Sequence, residues 1–250
     1  MADKRRKPVV DPRAAERRRS LFMRIGAVVA IIVVAAVVAV SILWSNGKIF
    51  SDDSSVAAGT PPTVTTDGAF RITTAPAGTT PKAVVEILED FQCPVCKQFE
   101  SVFGDALTQL KSNPNVAIDY RPVAILDRMS STNYSTRAAN ASACVAESTG
   151  GANNFEVWLK FHSLLYENQP AENGSGLTDD QLASYATEAG AQNVKDCITR
   201  GDYEDWVTQE TKDSGVTGTP TVKINGQDFN IQQGPEAFVA AVNAAAGSQQ

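Results

Sequence analysis

Side chains that bind metals or change redox state are scarce in this sequence. Its 250 residues include one histidine, three methionines and four cysteines. Only Cys93 and Cys96 form a closely spaced pair, whereas Cys144 and Cys197 stand alone. A structural zinc site needs four ligands, often arranged as two such pairs. The sequence therefore predicts no metal site.

Basic residues are scarce beyond the N-terminus. Residues 1–24 hold nine Lys and Arg against three Asp and Glu, and the rest of the chain holds 13 basic and 25 acidic residues. Proteins that bind nucleic acid neutralise its phosphates with basic patches. The acidic body of the chain therefore argues against nucleic acid as a partner.

One long apolar run follows the basic segment. Residues 25–44 are almost entirely Val, Ala and Ile, and as a helix they would cross roughly 30 Å of hydrocarbon. The positive-inside rule places residues 1–24 in the cytoplasm and everything after the run outside. We therefore expect a single-pass protein of the cell membrane. Two alternatives are a cleaved signal peptide, whose apolar stretch is usually shorter, and a twin-arginine export signal at Arg18 and Arg19.

The composition changes twice more along the chain. Residues 45–68 are rich in Ser, Thr, Pro, Gly and Asp, which is typical of a flexible tether. From there to the C-terminus, residues 69–250 carry regular apolar patterns and predict one folded domain.

The patterns within this domain alternate between strands and helices. They predict a short leading strand at 69–73, a strand at 83–88, a helix from Pro94 that ends before Asn113, a strand at 116–125, an all-helical insertion of about 131–214, a strand at 221–224 with a partner around 229–231, and a closing helix at 235–246. Within the insertion, Thr178 and Gln181 fit a capping box. This order predicts an α/β, thioredoxin-like fold with an all-helical insertion domain, preceded by one transmembrane helix.

The cysteine pair lies where a strand gives way to a helix. Only a thiolate attacks a disulfide, and the unpaired N–H groups at a helix N-terminus stabilise negative charge. We therefore expect a lowered pKa at Cys93, with Cys96 one turn later on the same face as the resolving thiol. Pro94 fits the first helical position. The alternative is a purely structural disulfide loop.

Two motifs carry a family resemblance. The segment from Glu89 to Cys96, Glu-Asp-Phe-Gln-Cys-Pro-Val-Cys, and the Thr219-Pro220 pair before a strand resemble the signatures of the DsbA-like branch of the thioredoxin superfamily. The membrane-tethered actinobacterial members look most similar. The resemblance implies that Pro220 is cis and faces the redox pair, and that the backbone of Thr219 pairs with an extended substrate. An ordinary turn proline is the alternative.

The resemblance also bears on residues outside these motifs. It implies a second, structural disulfide between Cys144 and Cys197, with two free buried thiols as the alternative. Many relatives carry histidine in the active-site dipeptide, where this chain has Pro94 and Val95, so the oxidising strength of the pair stays open.

Some relatives also bury an acid on the strand before the motif. Glu86 and Glu89 are the candidates here, and the alternative is that both are solvated. His162 falls on an apolar helical stripe with Trp158, which favours a core position over one near the active site.

The implied activity is that of a protein thiol-disulfide oxidoreductase. It would donate disulfides to reduced exported proteins, and a membrane quinone-linked oxidase of the vitamin K epoxide reductase (VKOR) or DsbB type would reoxidise it. The redox-active disulfide needs no bound cofactor. The alternatives are a disulfide isomerase or reductase, and a non-catalytic export chaperone. A monomer is favoured, because no dimerisation module is visible between the tether and Phe70.

Overall fold

The computed structural model describes residues 59–247 as a five-stranded sheet with helices. The strands are β1 (Phe70–Thr73), β2 (Ala83–Glu89), β3 (Val116–Pro122), β4 (Thr221–Ile224) and β5 (Gln227–Asp228). The α-helices are α1 (Pro94–Leu110), α2 (Tyr134–Thr149), α3 (Ala152–Glu167), α4 (Asp179–Ala189), α5 (Lys195–Arg200), α6 (Glu204–Ser214) and α7 (Gly234–Ala245). Two short 3-10 helices cover Asp127–Met129 and Ile231–Gln233.

The sheet places β2, the strand that leads into the cysteine pair, at its centre. The strand order is β1-β3-β2-β4-β5. Strands β2 and β3 run parallel, whereas β1 is antiparallel to β3 and β4 is antiparallel to β2. A central strand has both edges paired, so the C-terminal end of β2 is fixed by two neighbours just before the site begins.

The two faces of the sheet differ in chemistry. On one face, Phe70 of β1 packs its ring against Trp158 of α3, with centroids 5.1 Å apart. On the other face, Arg71 forms an ion pair with Asp119 across β1 and β3. The alternation follows from the two-residue period of a strand, and it gives the sheet one apolar face for helices to cover.

Five α-helices, α2 to α6, connect β3 to β4. A disulfide between Cys144 and Cys197 joins α2 to α5. Helix α4 begins with a capping box, in which the Thr178 side chain accepts from the backbone N–H of Gln181 while the Gln181 side chain accepts from the Thr178 N–H. This arrangement satisfies two backbone donors at the helix start.

Two strand predictions were wrong in their extent. Strand β3 was expected to reach Ile125 but ends at Pro122. Proline has no N–H, and although the Val123 N–H still donates to the Glu89 carbonyl oxygen, the Ala124 N–H donates to Thr211 Oγ1 across 2.9 Å instead of continuing the strand pairing. The partner of β4 was expected around 229–231, but β5 ends at Asp228.

Within residues 59–247, no helix combines the length and the apolar character needed to cross a membrane. The predicted anchor at 25–44 and the basic segment at 1–24 lie outside the described residues, as does most of the predicted tether.

Candidate functional site

Cys93 occupies the N-cap position of α1. Its backbone is extended (φ −75°, ψ 117°), and Pro94 follows in the first turn. The first N–H groups of a helix have no partner within the helix, and proline removes one of these donors without breaking a bond that the helix needs. The Cys93 sulfur therefore lies where the remaining donors and the positive end of the helix dipole favour an anion.

The pKa of Cys93 reflects this environment. Several contacts together lower the pKa from 9.0 to about 6 against an opposing contribution from burial, and the hydrogen bond from the Cys96 thiol is the largest of them. The backbone N–H groups of Val95 and Cys96 also lower it. At neutral pH most of the Cys93 side chain is therefore the reactive thiolate.

Cys96 has the opposite character. It is 1% exposed, and burial is the largest cause of a pKa raised above the ordinary cysteine value, with the Cys93 sulfur raising it further. Both residues are free thiols in this structure. The pair thus combines an ionised outer sulfur with a protonated inner one that donates to it.

The loop before β4 faces this pair. The Thr219-Pro220 peptide bond is cis, and the Cys93 thiol lies 3.3 Å from the Thr219 carbonyl oxygen, to which it can donate. Two segments 126 residues apart in sequence thus meet at the reactive sulfur. The structure brings together four of the residues singled out from sequence: Cys93, Cys96, Thr219 and Pro220.

An apolar groove of about 250 Å³ lies beside the pair, along one side of α1. Phe99 and Phe103 form part of its lining together with Ile231, which precedes α7. Val95 and Val102 also line it and are 48% and 49% exposed. Val95, the second residue of the active-site dipeptide, therefore offers apolar contact area next to the thiols.

Three side chains that the sequence analysis did not assign to the site hold the Cys93 loop. The buried Asp90 carboxylate accepts from the N–H groups of Gln92 and Leu126, and burial raises the pKa of Asp90 to about 6. The Gln92 side chain donates to the Met129 carbonyl oxygen. The sequence analysis included Asp90 and Gln92 only as members of the Glu89–Cys96 motif and assigned them no contact, and the one local signal was that Asp is typical of turns.

The third side chain is Gln169, which follows α3. Its amide donates to the carbonyl oxygens of Phe91 and Cys93, each across 3.0 Å. No local pattern in the sequence links Gln169 to a loop 76 residues earlier.

A buried polar cluster lies behind the pair. Glu89, at the end of β2, is 1% exposed, so of the two candidates it is the buried acid, and the alternative that both are solvated was wrong. Its carboxylate oxygens lie 2.9 and 3.0 Å from His162 Nε2, and the hydroxyl of Tyr166 donates to it across 3.1 Å. His162 is buried as expected. Glu86 is instead partly exposed and forms an ion pair with Arg121.

Burial and the neighbouring charges together set the pKa values of the cluster. Burial by itself would lower the pKa of His162, but the carboxylates of Glu89 and Glu100 outweigh it and raise that pKa. Burial raises the pKa of Glu100 to about 7. Glu89, Glu100 and His162 form a group that could hold a metal ion within the described residues.

The two isolated cysteines lie away from these groups. Cys144 and Cys197 are bonded to each other, with Cα atoms 5.9 Å apart. Next to them, Asn140 accepts from the Tyr203 N–H and donates to the Ile198 carbonyl oxygen. This part of the structure connects helices of the insertion and does not contact the redox pair.

Comparison with known proteins agrees with this geometry. The family model described as Thioredoxin matches residues 77–244. A disulfide bond oxidoreductase from Mycobacterium tuberculosis, DsbG in its reduced form, is 39% identical with a TM-score of 0.64 over 72% of this chain and 88% of that chain. Oxidised DsbA from the same organism is also 39% identical with a TM-score of 0.64, over 72% of this chain and 93% of that chain.

Two further matches are either less similar in sequence or cover a smaller part of the chain. MdbA, a thiol-disulfide oxidoreductase from Corynebacterium diphtheriae, is 24% identical over 71% of this chain and 90% of its own, with a TM-score of 0.59, and supports the fold alone. The serine/threonine-protein kinase PknE of M. tuberculosis is 34% identical over 140 residues, which is 54% of this chain. The match spans only 24% of the kinase.

Proposed function

The chain belongs to the DsbA-like thiol-disulfide oxidoreductases of the thioredoxin family, and on that basis we propose that it donates disulfides to exported proteins outside the cytoplasm. The observation that carries the proposal is the position of Cys93, whose sulfur lies at the start of α1 with a pKa lowered to about 6. Stabilising the thiolate stabilises the reduced enzyme. A stabilised reduced form makes the corresponding disulfide a stronger oxidant.

In the proposed cycle, the enzyme begins as the Cys93–Cys96 disulfide. A thiolate of the reduced substrate attacks the Cys93 sulfur, which forms a mixed disulfide and releases Cys96 as a thiolate that takes up a proton. A second substrate thiolate then attacks the substrate sulfur of the mixed disulfide, and Cys93 leaves as a thiolate. The substrate loses two electrons and gains a disulfide, and the enzyme retains the electrons as its dithiol.

Substrate binding is assigned to the surfaces around Cys93. The backbone of Thr219, which lies beside Cys93 and precedes the cis bond to Pro220, would pair with an extended segment of the substrate. Such pairing suits many sequences because main-chain hydrogen bonds do not depend on side chains. The apolar groove beside Val95 and Val102 would take apolar side chains of the unfolded substrate.

The remaining partners and the location form part of the same proposal. The run at 25–44 would anchor the protein in the cell membrane with residues 1–24 in the cytoplasm, and the enzyme would act as a monomer. A membrane quinone-linked oxidase of the VKOR or DsbB type would accept the two electrons. Thiol trapping in growing cells tests this direction of flow, since an oxidase should carry Cys93 and Cys96 mainly as a disulfide.

The decisive experiment mixes the purified, oxidised full-length chain with a reduced protein that contains two cysteines. We expect one substrate disulfide per enzyme and complete loss of transfer in Cys93→Ala. Ser101→Ala, an exposed change on the same helix, serves as the matched control and should transfer normally. Disulfide transfer by Cys93→Ala would remove Cys93 from the mechanism.

Measurement of the reduction potential then separates an oxidase from a reductase. A strong oxidant such as DsbA lies at about −120 mV and thioredoxin at about −270 mV. A potential at the thioredoxin end would overturn the proposed direction while leaving the exchange chemistry intact.

A further inference from the structure

A second cavity, of about 470 Å³, opens on the side of α1 opposite to the apolar groove. Ile72 and Ile118 of the sheet, Leu107 of α1 and Leu159 of α3 form apolar parts of its wall. Glu100 lines the cavity from α1, and His162 and Tyr166 line it from α3. The cavity therefore connects solvent to a deeply placed polar cluster that the proposed disulfide exchange does not use.

Glu89, Glu100 and His162 each contribute one ligand atom to this cluster. The three atoms all lie within 4.8 Å of one another. His162 Nε2 is already 2.9 Å from Glu89 Oε1, and the Tyr166 hydroxyl fixes the other Glu89 oxygen. Two of the three groups are thus held at close range by the fold.

Glu100 is the group that this network leaves unsatisfied. Its Oε1 atom is buried and has no hydrogen-bond partner among residues 59–247. A buried polar atom without a partner costs roughly 1–3 kcal/mol, and more if the group is charged, so such atoms usually mark a missing water, ion or functional role. Glu100 also lines the open cavity, so a ligand that enters the cavity would lie next to this side chain.

The charges of the cluster favour a cation as that ligand. When Glu100 is ionised, an imidazolium at His162 balances only one of the two carboxylates. One divalent cation bound to neutral imidazole would balance Glu89 and Glu100 together, and buried carboxylates are normally found paired or coordinating a metal.

We propose that Glu89, Glu100 and His162 bind one divalent transition-metal ion, with Zn²⁺ as the best fit. Zn²⁺ accepts histidine nitrogen and carboxylate oxygen at about 2.0–2.2 Å, often with three protein ligands and one water. Ca²⁺ and Mg²⁺ prefer oxygen ligands alone, so the imidazole selects against them. The cavity provides the entry path that a metal site requires and space for the water ligand.

The geometry needs two adjustments. Ligands about 2.1 Å from a tetrahedral ion lie about 3.4 Å apart, so His162 Nε2 and the Glu89 oxygen, now 2.9 Å apart, would separate slightly and exchange their hydrogen bond for bonds to the ion. Glu100, whose ligand atom lies within 4.8 Å of both, would adjust to the same spacing. Glu100 lies one helical turn after Cys96 on α1, and the bound ion would join α1 to α3 and to the end of β2. The site contains neither of the reacting sulfurs, and metal binding there does not depend on the proposed function.

His162 is the only histidine of the chain, which gives the experiment a single reporter. We would label the full chain with ¹⁵N-histidine, omit any histidine tag, and oxidise Cys93 and Cys96 so that their thiols cannot bind the metal. Zn²⁺ is then added while the imidazole nitrogen signals are followed by NMR. Binding predicts one new set of ring signals, complete at one equivalent of Zn²⁺ and with the Nε2 shift changed. Unchanged ring signals at several equivalents would overturn the proposal.

Two matched variants locate the site. Glu100→Gln keeps the size of the side chain but removes the carboxylate, and it should weaken Zn²⁺ binding about tenfold or more. Glu167→Gln removes an exposed carboxylate that lines the same cavity and should bind Zn²⁺ like the parent. Equal affinities in both variants would refute the assignment. If Glu100→Gln fails to fold, Glu100→Asp takes its place, and the titration of the parent remains decisive.

Discussion

Replacing Cys96 should raise the pKa of Cys93, by an amount that depends on whether the new side chain can donate a hydrogen bond. The Cys96 thiol is the largest influence lowering that pKa to about 6. A hydrogen bond to a charged group contributes about 1.5–3 kcal/mol, and one pH unit corresponds to about 1.4 kcal/mol. Cys96→Ala should therefore raise the pKa of Cys93 by about 1 to 2 pH units. The backbone N–H groups at the start of α1 remain and keep it below 9.

Cys96→Ser is the matched control, because its hydroxyl can still donate to Cys93. Both variants leave Cys93 as the one free thiol, since Cys144 and Cys197 are bonded to each other. The assay is the rate of iodoacetamide alkylation as a function of pH. A Cys93 thiol with a pKa of about 6 is half ionised at about pH 6. Compared with a protein in that state, the alanine variant should react about 5- to 50-fold more slowly at this pH.

Two results would refute this reasoning. Equal pKa values in the alanine and serine variants would show that the hydrogen bond from Cys96 is not the main influence. A pKa near 9 in the reduced parent would show that the helix start does not activate Cys93 at all.

Three further predictions concern stability. Replacing Cys144 and Cys197 by alanine removes a cross-link between positions 53 residues apart, worth about 4 kcal/mol by chain entropy; thermal melting should show Tm lower by roughly 8–16 °C, and an unchanged Tm would contradict this. Because folding lowers the pKa of Cys93 from 9.0 to about 6, its contribution to the stability of the reduced protein is complete above about pH 9 and is lost as pH falls through about 6. The free energy of unfolding, measured with urea at about pH 5 and about pH 8, should contain this contribution at the higher pH in the reduced form but not in the oxidised form. If the difference in free energy of unfolding between the two forms is independent of pH, the result counts against the prediction. Thr178→Ala removes the acceptor for the Gln181 N–H and should cost about 1 kcal/mol, visible as a Tm roughly 2–4 °C lower unless the capping box contributes nothing.

The features that sequence predicted well are those whose causes lie within a few residues. Pro94 after Cys93 indicated a helix start, and α1 begins at Pro94. Thr178 and Gln181 indicated a capping box, which is present. The β-rich run from Thr221 forms β4 as expected. In each case the residues that give the signal lie within, or directly next to, the helix or strand that they specify.

The features that sequence missed depend on distant partners. Strand alternation alone did not fix the environment of Glu89, because residues on both faces are buried at the end of β2. Glu89 is buried there since His162, 73 residues later, supplies a polar partner. The unpaired oxygen of Glu100 is likewise a property of the packing between α1 and α3, and no spacing within either helix indicates it.

These distant partners show that the helical insertion is part of the redox centre's support. Helix α3 supplies His162 and Tyr166 to the carboxylate at the end of β2, and Gln169, just after α3, supplies two hydrogen bonds to the loop that carries Cys93. The reactive sulfur is thus positioned by α1 from one side and by α3 and its following loop from the other. A displacement of α3 would at the same time break the hydrogen bond from Gln169 to the Cys93 carbonyl oxygen and remove His162 from the buried Glu89 carboxylate. The insertion therefore affects exchange chemistry through the position of the thiol, although it contributes no sulfur to the reaction.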